Sequence, residues 1–181
     1  MALLVVVNNL AICSPEFKDC ATGFGEKGSK ATAVVGAQKD LKSAMQSYAS
    51  VKCLFVDTHG GPGRIELADG TKLDGLDIGM IEAPYLLAMN ARILFAGCNV
   101  GASTAGDNFM DDIGRYLLRG KGGFVGAATV KTFTLGCVTL EYLDDPFANP
   151  TAGRFKTRRY DTSGALIGSR VVDRWGRVRP E

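Results

Sequence analysis

The chain has 181 residues and a mass of 19.2 kDa, with 46% hydrophobic and 22% charged residues. That is the make-up of one globular domain, or one domain with a small appendage, and it excludes wholesale disorder, collagen-like repeats and coiled coil. No apolar run reaches the roughly 18 residues of a membrane helix, and a net charge of +2 is too small to imply a nucleic-acid partner.

In chain order, Leu3 to Val7 is a β-branched apolar run ended by Asn8 and Asn9, which predicts a buried strand. Cys13 to Ser29 reads as a loop punctuated by Pro15, Gly23, Gly25 and Gly28, and Val34-Val35 as a little extended structure. Leu41, Ala44, Met45 and Tyr48 fall at helical spacing and predict a helix over 40–49. Lys52 to Asp57 is a second buried strand, running into Thr58-His59-Gly60-Gly61-Pro62-Gly63. Residues 64–67 and 71–73 flank Ala68-Asp69-Gly70 as a hairpin. A short helix is expected over 81–89 and a third buried strand over 91–96, ending at Gly97-Cys98-Asn99-Val100-Gly101. Apolar positions 109, 110, 113, 117 and 118 make an amphipathic helix over 107–118, and Gly123 to Ala128 is a fourth strand.

Strands alternating with helices predict an α/β fold with a largely parallel sheet flanked by helices over residues 1–149. Past Pro150 the texture changes to antiparallel ribbons around Asp161-Thr162-Ser163-Gly164 and Asp173-Arg174-Trp175-Gly176. Residues 150–181 are therefore set apart as a basic C-terminal β-hairpin segment, packed on the domain or extending from it. This segment carries +5, which leaves −3 on the rest. Its bland reading is a solvated ribbon of arginines; its sharper one is an anion site. The carboxylates Asp111-Asp112 and Asp144-Asp145 are read as surface solvation, and no internal repeat is visible.

The five cysteines, Cys13, Cys20, Cys53, Cys98 and Cys137, form no CxxC pair, and there is one histidine. Neither a disulfide framework nor a metal site is suggested, and a reducing compartment is expected. The N-terminus lacks a basic n-region, so a signal peptide is not expected and the cytoplasm is the default location.

Ligands of open α/β sheets bind beyond the carboxyl ends of the strands. Two predicted strands end there in reactive residues, His59 and Cys98, each beside glycine. A thiol, a nearby base and backbone donors for an oxyanion are the requirements of nucleophilic acyl transfer. Taken singly, a histidine in a glycine-rich loop is a turn residue and a strand-end cysteine is packing; the two together make a candidate dyad. Asp57, two residues before His59, is either a loop cap or an aid to the imidazole.

The blocks CLFVDTHGGPG and RILFAGCNVG, 39 residues apart from His59 to Cys98, resemble the His-Gly and Cys blocks of clan CD cysteine peptidases with the caspase–hemoglobinase fold. The flavour is that of the bacterial caspase-like group that includes the CHAT domains. It rests on the HG-x-PG turn, the hairpin RIELADGTKL and the strand block KGGFVGAATV, and covers about residues 51–130, with 3–7 as the family's first strand. The resemblance implies a hydrolase: a cysteine endopeptidase in which Cys98 is the nucleophile, His59 the base, and the Gly60 and Cys98 amides the oxyanion hole. No cofactor or metal is implied. The partner implied is a protein or peptide substrate; the short chain separately suggests a protein partner that supplies targeting, and the composition leads to no expected membrane or nucleic-acid partner. By the same resemblance, Arg154, Lys156, Arg158, Arg159 and Arg170 would be a polyanion site near a C-terminal flap. The residue preference at the cleaved bond is not legible.

Other chemistries fit less well. Thr104 stands where a C-x5-R phosphatase needs arginine, and Gly23-x-Gly25-x-x-Gly28 lies away from a strand–helix junction. Tyr160 and Trp175 among arginines could stack bases, but a hairpin packing its aromatics is the simpler reading. A scaffold that keeps the fold without the chemistry, acting as a binding or regulatory module, is the alternative to an enzyme.

Overall fold

The computed structural model describes residues 3–21, 27–129, 154–173 and 178–179. Along the chain these form β1 (Val5–Val6), β2 (Asn9–Cys13), a 3-10 turn (Pro15–Phe17) and α1 (Lys18–Ala21), then β3 (Lys30–Val34), α2 (Gln38–Ser47), β4 (Tyr48–Ala49) and β5 (Val51–Asp57). There follow β6 (His59–Gly61), β7 (Arg64–Glu66), β8 (Lys72–Asp74), α3 (Gly75–Gly79), β9 (Leu87–Phe95), α4 (Ser103–Leu117) and β10 (Gly123–Ala128). The chain then adds β11 (Arg154–Tyr160), β12 (Leu166–Asp173) and β13 (Val178–Arg179).

One eight-stranded sheet organises the molecule, in the order β13-β12-β11-β10-β9-β5-β2-β3. The five strands from β3 to β10 run parallel, and β11, β12 and β13 join antiparallel. The parallel part follows the 2-1-3-4-5 order of doubly wound sheets, whose topological switch point lies between the first and third strands, here β2 and β5. Two small sheets accompany it, the parallel pair β1-β4 and the meander β6-β7-β8.

Alternation along the strands sends Leu10, Ile12, Leu54, Val56, Ile93, Phe95, Val125 and Ala127 into the main core. Leu41 and Met45 of α2, Ile78 of α3 and Phe109, Met110 and Ile113 of α4 complete that core. The opposite face carries a smaller cluster of Ala11, Cys13, Phe55 and Ala96, with Phe17 and Leu94 against it. Helix starts are fixed by carboxylates reaching backbone amides. Asp40 accepts from Gly36 and Ala37 before α2, and Asp74 and Asp77 cap α3 reciprocally.

Several expectations change. The run 3–7 is not the buried strand: only Val5–Val6 is extended, paired with β4, and Leu3 and Val6 are 96% and 68% exposed. The buried first strand is β2, because Asn8 and Asn9 do not end it. Their amides donate to the Ser29 carbonyl, and the Asn8 side chain binds Ser29, which carries the chain across the asparagines into the sheet. The helix expected over 81–89 is absent, since α3 lies earlier at Gly75–Gly79 and Leu87–Met89 already belong to β9. Leu86 and Leu87 are buried by sheet pairing, with Val51 opposite Leu87 and the Val51 amide donating to the Leu86 carbonyl, so periodicity alone misassigned them. The loop 13–29 contains a helical turn and α1, and residues 59–61 form a strand that was not foreseen.

The C-terminal strands are integrated with the domain: β11 pairs with β10 from Gly123–Tyr160 to Ala128–Phe155. Asp111 is not mere solvation, for its Oδ1 accepts from Tyr160 at 2.8 Å. The Tyr160 ring lies where a Gly114 Cβ would stand, 2.4 Å from ring carbon, so a helix glycine makes room for it. Asp144-Asp145, Cys137, Gly23, Gly25 and residues 174–176 of the expected turn, with Trp175, lie outside the described residues, as do the side chains of Cys20 and Arg154.

Candidate active site

Three adjacent parallel strands deliver the site. Cys13 of β2 pairs with Asp57 of β5, and Val56 of β5 with Phe95 of β9, so the three strands end level. Hydrogen bonds continue the alignment one step further, from the Ser14 amide to the Asp57 carbonyl and from the Ala96 amide to the Val56 carbonyl, both 2.9 Å. Glu16, His59 and Cys98 follow within three residues of these ends, at the C-terminal edge of the sheet and across its switch point.

The loops after β5 and β9 lie in contact. A Cβ on Gly97 would stand 3.2 Å from the His59 carbonyl oxygen and 2.9 Å from that of Thr58, and one on Gly60 would stand 3.3 Å from the Cys98 carbonyl oxygen. Both would also press on the buried Val100 side chain, at 3.0 and 2.6 Å. The glycines beside His59 and Cys98 are therefore what let the two backbones pack. The Gly63 amide donates to the Val100 carbonyl at 3.0 Å, tying the β6-β7 turn to the cysteine loop.

The carboxylate that reaches the imidazole is Glu16, a residue not singled out from the sequence. Its Oε1 lies 2.9 Å from His59 Nε2, with side chains 40% and 60% exposed. Phe17 meets the imidazole edge-on, with ring centroids 5.2 Å apart. An acceptor on Nε2 places the proton of the neutral ring there and leaves Nδ1 as the base. The Thr58 hydroxyl donates to the His59 carbonyl at 2.9 Å, fixing the backbone from which the ring projects. Glu16 was illegible because the first strand was read as 3–7; with β2 ending at Cys13, Pro15-Glu16-Phe17 becomes the turn directly beyond the sheet edge.

Among the described residues, the Asp57 carboxylate neither caps a loop nor bonds to the imidazole. It is 7% exposed, and its carboxyl is pushed up to about 6 by burial first and by the Glu16 carboxylate second, while His59 pulls it down. Cys98 is partly exposed, whereas Cys13 and Cys53 are buried. Among the described residues no group of three His, Cys, Asp or Glu is placed to hold a metal ion, and no helix is long and apolar enough to cross a membrane.

The expected anion-binding residues do not act as one patch. Lys156 Nζ and Arg158 Nη1 lie 2.7 and 2.8 Å from Asp107 Oδ1, and Arg158 Nε lies 3.2 Å from Asp111. Both side chains are 14% exposed or less and turn toward α4. Alternation turns Arg159 and Arg170 to the other face, where Arg159 lies 5.5 Å over the Phe124 ring. Lys156 and Arg158 are thus committed within the chain.

No protein-family model, no curated protein and no solved structure matches this chain.

Proposed function

We propose that this domain is a cysteine endopeptidase with Cys98 as nucleophile and His59 as base, built on a caspase-like α/β fold. The observation that carries the reading is the packing of the His59 and Cys98 loops at the ends of neighbouring parallel strands. The Cys98 thiol transfers its proton to the imidazole, and the thiolate attacks the peptide carbonyl carbon, forming the C–S bond while the carbonyl pair moves to oxygen. Collapse breaks the C–N bond, and the amine leaves with the imidazole's proton. Water, deprotonated by the imidazole, then cleaves the thioacyl-enzyme and restores the thiol.

The Gly60 amide suits the oxyanion. A two-residue turn, Pro62-Gly63, makes Gly61–Arg64 the hydrogen-bonded pair, so Gly60–Ile65 is of the other kind and the Gly60 N–H faces away from β7. The Cys98 amide is the second donor in this reading. Glu16 acts as a positioning residue, holding the ring in the tautomer whose Nδ1 is basic.

Thiol reactivity tests the proposal. With iodoacetamide at neutral pH, Cys98 should be alkylated at least about tenfold faster than Cys13 or Cys137 if the imidazole takes its proton. Equal rates that His59→Ala leaves unchanged would point instead to a scaffold without chemistry.

A further inference from the structure

We propose that the groove beside Met80, at the edge of the sheet opposite Cys98, is a docking site for a partner protein's segment of large apolar side chains flanked by aspartate or glutamate. It does not rest on the peptidase reading. β9 begins at this edge with Leu87 and ends at Phe95 before the cysteine loop, so about 25 Å of strand separates the two places. The groove consists of two adjoining hollows of about 610 and 620 Å³ that share Met80, Ile81 and Glu82. One runs toward Lys42 of α2, the other past Tyr116 of α4 to Arg119 and Lys121.

The walls are apolar and fixed. Met80 is 62% exposed, Tyr85 68%, Met89 58% and Tyr116 41%, whereas every other Met and Tyr among the described residues is buried or half-buried. The Met80 amide donates to the Leu76 carbonyl, the Ser50 amide to the Tyr85 carbonyl and the Asn90 amide to the Lys121 carbonyl, which holds the backbone beneath these side chains. Gly79 brings α3 against α4, since a Cβ there would stand 3.0 Å from Tyr116 Cβ. Exposed methionines and tyrosines around a hollow, inside a polar rim, are the surface that protein partners use.

Charge decides which partner. Lys42, Arg119 and Lys121 stand on the rim, and among the described residues none of the three enters an ion pair. Asp77 is occupied by the Asp74 amide, which leaves Glu82 against three cations. The Lys121 and Gly122 amides both donate to the Leu118 carbonyl, so Arg119 and Lys121 leave a closed turn beside the groove. Apolar anchors with acids on either side would meet Lys42 at one end and Arg119 and Lys121 at the other. A second copy docked by the same face would oppose cation to cation.

The test is selection of random twelve-residue peptides, displayed on phage, on the full-length Cys98→Ala chain, with the enriched peptides then synthesised with fluorescein and measured by anisotropy. They should combine two or more large apolar residues with Asp or Glu. Met80→Glu should weaken their binding at least about tenfold, and Arg119→Glu with Lys121→Glu should do the same. That charge-reversed chain should regain binding when the acids of the peptide are replaced by lysine, which shows that it is folded. Selected peptides without acids, peptides that bind both variants as tightly as the parent, or a selection that enriches none would overturn the proposal. A concentration-dependent dimer in sedimentation, lost in Met80→Glu, would overturn it too by assigning the face to a second copy.

Discussion

Asp57 ends β5 with its carboxylate inside the protein, so its ionisation is coupled to folding. Its folded pKa of about 6 lies above the ordinary aspartate value, so the native state holds the proton more tightly than the unfolded chain. The associated stability is fully present below about pH 4, where both states are protonated, and is lost as the pH rises through about 6. Asp57→Asn should therefore be more stable than wild type by about 2 kcal/mol at pH 7.5, after allowance for screening, with the gap closing near pH 4. Urea unfolding of both proteins across that range checks this; a gap independent of pH would contradict it. Glu16 makes the complementary case. Glu16→Gln keeps an acceptor near Nε2 but removes the charge, and should lower kcat about tenfold with little change in KM. A loss confined to KM would assign Glu16 to substrate binding.

The strands at 52–57, 91–96 and 123–128 were legible because each is a short apolar run bounded by turn residues, and a parallel sheet buries both faces of such runs. The helices at α2 and α4 were legible from their periodic faces. The first strand was not, because NLAIC contains an asparagine whose burial depends on Ser29, twenty residues away, whereas the more apolar 3–7 lies largely outside. The same error hid Glu16, so the sequence pointed to the His59 and Cys98 loops of the candidate site and not to the turn beyond β2. The basic residues of β11 were misread for a related reason, since Asp107 and Asp111 become their partners only when β11 lies beside β10 against α4. At that junction Gly114→Ala should cost about 1–3 kcal/mol, because the added methyl meets the Tyr160 ring and outweighs the gain in helix propensity. A melting curve measures it, and a rise in Tm would show that the ring moves aside freely.

Across the whole molecule, one sheet joins the candidate chemistry to the C-terminal strands. Deleting residues 150–181 would expose the edge of β10 and strip Asp107, Asp111 and Gly114 of their partners, so the shortened chain should lose cooperative unfolding or aggregate. Intact cooperative melting after the deletion would mean that the domain is complete without them. The proposed peptidase requires that Cys98 be a nucleophile served by His59. Its most direct test is cleavage of a diverse peptide mixture by the wild-type chain and by Cys98→Ala, read by mass spectrometry. Cuts made by the wild type alone are the expected result. Cuts that persist in Cys98→Ala, or no cuts together with a Cys98 no more reactive than Cys13, would contradict it.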